Sequence, residues 1–226
     1  MIEDSKVLKI LIGGDGGIGK TTMLSVFCEN SYYDHNITIA LDIHVKKVEV
    51  NGSTEILQIW DLSGQEQFRF LLASFFQDVH GIIIGFDMSR YQSFQNLKNW
   101  IKLFREKNDK TPILLMGTKA DMGYHPMLNS EMALEFKDDH QLIEFIEVSA
   151  KENKNIELVF KRLIEAIHGF NPGTVEIKFL DSMRESKSEA EKLTQCPHCN
   201  SPLRESQIKL KQMGKEVLCH NCLKLI

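Results

Sequence analysis

Gly14-Asp15-Gly16-Gly17-Ile18-Gly19-Lys20-Thr21 is the stretch on which the reading of this chain turns. It fits G-x-x-x-x-G-K-[ST], with an apolar run at residues 7–12 before it and an apolar helical stretch (Met23, Leu24, Val26, Phe27) after it. A strand, a glycine loop and a helix in that order mark a phosphate-binding loop rather than a glycine-rich turn with a chance lysine. The glycines let successive backbone N–H groups turn inward around polyphosphate oxygens, Lys20 can reach the phosphates, and the Thr21 hydroxyl is placed for Mg²⁺. The helix expected from Gly19 aims its positive dipole end at the same place. Asp15, Gly16, Gly17, Ile18, Gly19, Lys20, Thr21 and Thr22 are therefore candidate nucleotide contacts.

Outward from this loop, strand and helix signals alternate. Residues 7–13 read as a buried strand and 19–29 as a helix, while 30–39 (NSYYDHNITI) have no clear period and read as a loop beside the site. Residues 41–50 alternate apolar and polar, Asn51-Gly52 supplies a favoured hairpin turn, and 55–60 form the returning strand. Asp61-Leu62-Ser63-Gly64-Gln65-Glu66 then lies at a strand's carboxyl end, where open α/β sheets bind ligands. Segments 81–86 (GIIIGF) and 112–117 (PILLMG) are apolar enough to be covered on both faces, and 143–148 is the last strand. Helices are expected over 91–107, over 130–138 with Ser130 as a cap, and over 155–169. The pattern predicts an α/β domain over 1–172, a mostly parallel six-stranded sheet with one antiparallel strand and helices on both faces. Residues 173–195, rich in charge, read as a partly helical linker, although Val175, Ile177, Phe179 and Leu180 can pack locally on the preceding domain.

Three further motifs stand at carboxyl ends of strands: Asp61-x-x-Gly64-Gln65-Glu66, Thr118-Lys119-Ala120-Asp121 and Ser149-Ala150-Lys151. With the phosphate loop, their order and spacing resemble the small GTPases of the Ras superfamily over about residues 6–170, and Trp60-Asp61 with Gly64-Gln65-Glu66-Gln67-Phe68-Arg69 is similar to the Rab branch. The resemblance implies a P-loop NTPase G domain that binds GTP and GDP with Mg²⁺ and slowly hydrolyses GTP. It implies that Thr21, Asp61 and Thr38 hold Mg²⁺, that the Gly64 N–H meets the γ-phosphate, and that Gln65 orients the attacking water with Lys20 and Thr38 as its catalytic companions. Asp121 can accept two hydrogen bonds from guanine, a donor pair that adenine lacks. The Lys119 stem can cover one face of the base, Ala150 offers its N–H to guanine O6, Ser149 and Lys151 shape that loop, and Tyr32 stands where the family puts a ring edge-on to the base. Thr118 replaces the usual Asn, removing the amide that bonds guanine N7 and ties loops together. Residues 30–37 are one shorter than in the family, Ala40 replaces a Rab glycine, and Ile43 a phenylalanine of the effector-facing patch. A second reading is a nucleotide-binding scaffold with negligible turnover, whose C-terminal Cys-rich module mediates protein or nucleic-acid contacts.

Near the C-terminus, Cys196-x-x-Cys199 and Cys219-x-x-Cys222 are separated by nineteen residues, the spacing of a tetrahedral Zn²⁺ site. Residues 196–226 read as a zinc-ribbon-like module in which the metal supplies the stability that so small a core lacks. Its five Lys or Arg against two Glu give a net +3, but it has no aromatic residue for base stacking, so protein contact is expected before nucleic acid. Cys28, in the first helix, reads as a buried inert thiol.

The whole chain has 226 residues, with 27 Lys or Arg against 31 Asp or Glu, a net charge of -4 that excludes a dominant nucleic-acid footprint. The N-terminus lacks the pattern of a signal peptide and no apolar run has the length of a membrane span, so a cytoplasmic chain is expected; a monomer is expected as well. Rab proteins commonly end in prenylated cysteines, but a C-a-a-X box would need cysteine at Leu223, so no lipid anchor is expected. Effector, exchange and activating proteins are the partners that the resemblance implies.

Overall fold

A computed structural model describes residues 6–29, 41–62, 64, 76–106 and 109–180. The elements run β1 (Lys6–Gly14), α1 (Lys20–Glu29), β2 (Leu41–Val50), β3 (Ser53–Leu62), β4 (Gly81–Asp87), α2 (Tyr91–Gln95), α3 (Leu97–Arg105), β5 (Ile113–Thr118), α4 (Ser130–Asp139), β6 (Phe145–Glu147), α5 (Ile156–His168) and β7 (Ile177–Leu180). They build one sheet in the order β6-β5-β4-β1-β3-β2-β7. Pairings are parallel except that β2 runs against both β3 and β7. The hairpin between β2 and β3 closes on Asn51 and Gly52, both with positive φ (50° and 82°), the turn whose twist matches the flanking strands.

The buried apolar runs do what their composition demands. Along β4, Ile83 faces one layer with α1 and α5, while Ile82, Ile84 and Phe86 face the other with α3 and α4. Each fully buried side chain of this size contributes about 1.5–3 kcal/mol, so a strand with two covered faces is anchored from both sides. After β3 the chain crosses over β1 to form β4 on its other side. The strand order therefore reverses at the carboxyl end of β1, where open α/β sheets hold their ligands.

Three expectations need correction. The sheet has seven strands rather than six, because Ile177–Leu180, in the stretch read as linker, pairs with Lys47–Val50 of β2. Ile177 is buried there, and the Phe179 ring meets Phe27 of α1 edge-on at 4.9 Å. The segment alternates apolar and polar residues, so as a strand it covers the α1–α5 layer with one face and keeps charges on the other. The helix expected over 91–107 is interrupted at Asn96, and the cap of α4 is Asn129, whose side chain accepts from Met132 N at 2.9 Å, rather than Ser130. The chain divides into units Met1–Ser182 and Met183–Ile226, and all described residues belong to the first. The remainder of the expected linker and the Cys-rich module lie outside the described residues. Among the described residues no helix is long and apolar enough to cross a membrane.

Candidate functional site

The loop from Gly14 to Gly19 owes its shape to backbone conformations that side chains resist. Gly17 and Gly19 have φ of 71° and 96°, and a Cβ on Gly14 would stand 2.4 Å from the Gly85 carbonyl of β4. Lys20, on the first turn of α1, folds back and donates to the carbonyls of Gly14 (2.8 Å) and Asp15 (3.0 Å). Burial lowers its pKa, against the pull of the Asp61 and Asp15 charges. Arg90, just before α2, donates from Nη2 to the Gly16 carbonyl at 2.8 Å. With these oxygens engaged by cations, the loop is predisposed to offer N–H groups to an anion on its other side. The Asp15 carboxylate is tied to α3, accepting from Asn96 Nδ2 at 2.7 Å and Trp100 Nε1 at 3.1 Å.

The second corner of the site lies where β3 ends. Asp61 is fully buried, and its Oδ2 accepts a short hydrogen bond from the Thr21 hydroxyl. Its Oδ1 has no hydrogen-bond partner among the described residues. Burial raises the pKa of Asp61, opposed chiefly by the nearby Lys20 charge. An orphaned carboxylate oxygen beside a threonine hydroxyl fits Mg²⁺, which takes one or two carboxylates and draws its remaining ligands from phosphate and water. No group of three or more His, Cys, Asp or Glu able to hold a metal by themselves occurs among the described residues. Gly64 lies against the phosphate loop so closely that a Cβ on it would stand 2.0 Å from Gly16 N, so only glycine is tolerated.

The third corner joins the ends of β5 and β6. Thr118 is buried, and its hydroxyl donates to the Ile18 carbonyl at 2.6 Å and lies 3.0 Å from that of Phe86. The tie to the phosphate loop that the missing Asn was expected to leave open is therefore made by Thr118 itself, because a hydroxyl at this buried position reaches the same loop. Lys119 turns the chain sharply in the left-handed region, φ 59° and ψ 40°, and its Nζ pairs with Asp87 Oδ2 at 2.8 Å. Burial would push the Asp87 carboxyl up, but Lys119 and Ser89 together hold it below its usual range. Ser149 donates from its hydroxyl to Asp121 Oδ1 at 2.6 Å and accepts from Glu152 N at 3.2 Å, fixing the loop of Ala150 and Lys151 beside Asp121.

The first and third corners meet in a cleft of about 590 Å³ lined by Gly17, Ile18, Gly19, Thr22, Met23, Thr118, Lys119, Asp121, Met122, Val148, Ala150 and Lys151. Three of the four motifs thus converge on one concave surface, with an N–H-rich loop at one end and a carboxylate at the other, and the fourth adjoins the loop through Asp61 on Thr21 and Gly64 against Gly16. Tyr32, Thr38 and Gln65, together with Cys196, Cys199, Cys219 and Cys222, lie outside the described residues. Sequence reasoning missed Asp87, Arg90, Asn96 and Trp100. Trp100 carried a signal, since a buried indole N–H requires an acceptor; Arg90 and Asp87 carried none, because their partners are 74 and 32 residues away in sequence.

Residues 9–169 match the Ras family. The chain is 37% identical over 183 residues to the Ras-related protein RABD2c of Arabidopsis thaliana, with 76% of this chain and 90% of that protein covered. It is 38% identical over 170 residues to the GTP-binding protein YPTM1 of Zea mays, covering 74% of this chain and 81% of that one.

Proposed function

The chain belongs to the Ras family and has Rab-like relatives, and from that premise we propose that the cleft between the phosphate loop and the 118–121 and 149–151 loops is its guanine-nucleotide site. It is a Rab-like small GTPase, a switch that binds GTP and GDP and hydrolyses GTP. The observation that carries the assignment of the site is the placement of Asp121, Thr118, Lys119, Ala150 and Lys151 in the same cleft as Gly17, Gly19 and Thr22.

In this reading the phosphates lie against the N–H groups of residues 15–20. Lys20 exchanges its carbonyl partners for phosphate oxygens, since a desolvated ammonium gains more from an anion than from neutral carbonyls. Asp61, Thr21 and Thr38 would hold Mg²⁺, which when bound would supply positive charge to the phosphates. Gln65 orients the attacking water and Gly64 lends its N–H, so the chain contributes position and charge rather than covalent chemistry. Asp121, prealigned by Ser149, accepts from the guanine N1 and N2 donors, and the Lys119 stem covers the base while its ammonium stays on Asp87.

Residues 30–39 and 62–70 serve as the nucleotide-sensing segments that regulators and effectors read. Cys196, Cys199, Cys219 and Cys222 bind one structural Zn²⁺, a proposal supported by their spacing. The Zn²⁺ module contacts protein rather than nucleic acid.

Competition binding tests the site. GTP and GDP should displace a bound guanine nucleotide at concentrations about 10³-fold or more below ATP, as expected of a site built to hydrogen-bond one base. Asp121→Asn should shift the preference toward xanthine nucleotides by exchanging an acceptor for a donor. ATP competing as well as GTP against the unaltered protein would remove Asp121 from the base site.

A further inference from the structure

The turn Asp87-Met88-Ser89-Arg90 between β4 and α2 touches both halves of the cleft, Lys119 through Asp87 and the phosphate loop through Arg90. Its backbone is held in place from within. Arg90 N donates to the Asp87 carbonyl at 2.9 Å, the Ser93 hydroxyl donates to the Arg90 carbonyl at 2.7 Å, and Asp87 N donates to Ser93 Oγ at 3.0 Å. An arginine side chain is long and loses much rotamer freedom when fixed, so an anchored backbone beneath it favours one reach of the guanidinium. That reach ends on the phosphate loop. Nη2 bonds the Gly16 carbonyl at 2.8 Å, and Nη1 is the nearest heavy atom, at 4.0 Å, to where a Gly17 Cβ would stand. One arm of the fork therefore holds the Gly16 carbonyl and the other lies beside Gly17.

Three successive loop carbonyls, those of Gly14, Asp15 and Gly16, thus accept from cations, the first two from Lys20, which the nucleotide draws away, and the third from Arg90. Lys20 belongs to the motif itself. Arg90 comes from another part of the chain, the turn between β4 and α2. We propose that Arg90 is a positioning residue of the nucleotide site, a second built-in positive charge that holds the phosphate loop at Gly16 and favours the triphosphate over the diphosphate. The reason is electrostatic. A triphosphate brings one more negative charge to the loop than a diphosphate does, and a fixed cation across the loop interacts with that difference, attenuated because Arg90 is exposed. The proposal rests on the cleft being a guanine-nucleotide site.

The test compares affinities for GDP and for a non-hydrolysable GTP analogue, both with Mg²⁺, in the full chain and in Arg90→Lys, Arg90→Gln and Arg90→Ala. Glutamine keeps a donor for the Gly16 carbonyl without charge, and lysine keeps the charge without the fork. The ratio of the two affinities should fall about fivefold in the glutamine and alanine variants at low salt and stay within about twofold of the parent in the lysine variant. The difference should shrink toward nothing at about 1 M salt, where screening acts within a few ångströms. A packing role alone would weaken both nucleotides equally and without salt dependence. Arg90→Gln retaining the parent's ratio, or Arg90→Lys losing it as fully as alanine does, would overturn the proposal while leaving the site assignment standing. A parent chain that binds neither nucleotide would overturn both.

Discussion

Thr118 shows how much one hydroxyl decides in this site. It occupies a buried position at the end of β5, donates to the Ile18 carbonyl of the phosphate loop, and sits one residue before the ion-paired Lys119. Replacing it by valine preserves shape but leaves that carbonyl without its donor, a loss of about 1–3 kcal/mol. Thr118→Val should therefore release GDP roughly tenfold faster, read with a fluorescent GDP analogue, while the preference for guanine over adenine, which belongs to Asp121, stays unchanged. Thr118→Ser, which keeps the hydroxyl, should remain near the parent rate. Equal release from the valine variant would mean that the tie to Ile18 carries no weight in nucleotide retention. The Asp15 carboxylate is turned to Asn96 and Trp100 and so ties the phosphate loop to α3, while its charge still acts on Lys20.

At the scale of elements, β7 is what distinguishes this sheet from the six strands that its sequence pattern predicts. It covers the β2 edge from Lys47 to Val50 and carries Ile177 and Phe179 onto the layer formed by α1 and α5. An open strand edge is a template for unwanted pairing, and a short antiparallel strand with exposed charges closes part of it. In the full chain, Ile177→Ala with Phe179→Ala should cost about 3 kcal/mol from lost burial. For a unit of this size that is a fall in Tm of roughly 6–12 °C. Hydrogen exchange should then accelerate at the β2 amides of residues 47–50 and change little in β4 and β5, which lie on the far side of β1. Unchanged Tm and exchange would return residues 177–180 to the status of a linker.

For the whole molecule, the proposed division of labour is a nucleotide-binding unit stabilised by its own two apolar layers and a C-terminal module stabilised by metal. Purified protein should contain about one Zn²⁺ per chain, and a strong chelator should remove it without abolishing GDP binding. Thiol counting makes this quantitative. Burial pushes the Cys28 thiol up to about 12, so it stays protonated and unreactive in the folded chain. Chelation should then expose about four reactive thiols, those of Cys196, Cys199, Cys219 and Cys222, with the fifth appearing only on denaturation. Loss of GDP binding on chelation would mean that the module supports the nucleotide site.

Local chemistry was legible in the sequence, and contacts across the chain were not. The phosphate loop, the Asp61 and Thr118-Lys119-Ala120-Asp121 motifs, the Asn51-Gly52 hairpin and the doubly buried β4 could each be read because each is a short contiguous run whose backbone or burial demands act on neighbouring residues. The alternation Val175-Glu176-Ile177-Lys178-Phe179 was also present, but a pattern of period two says that a segment has one buried face without saying which edge will accept it. Only the tertiary structure decided that the edge is β2. It likewise decided that Asp15 is spent on α3, that Asp87 holds Lys119, and that Arg90 grips Gly16. Such pairings depend on where crossovers place distant segments, and an exposed arginine or a buried aspartate in a turn has many partners compatible with its sequence until the sheet order selects one.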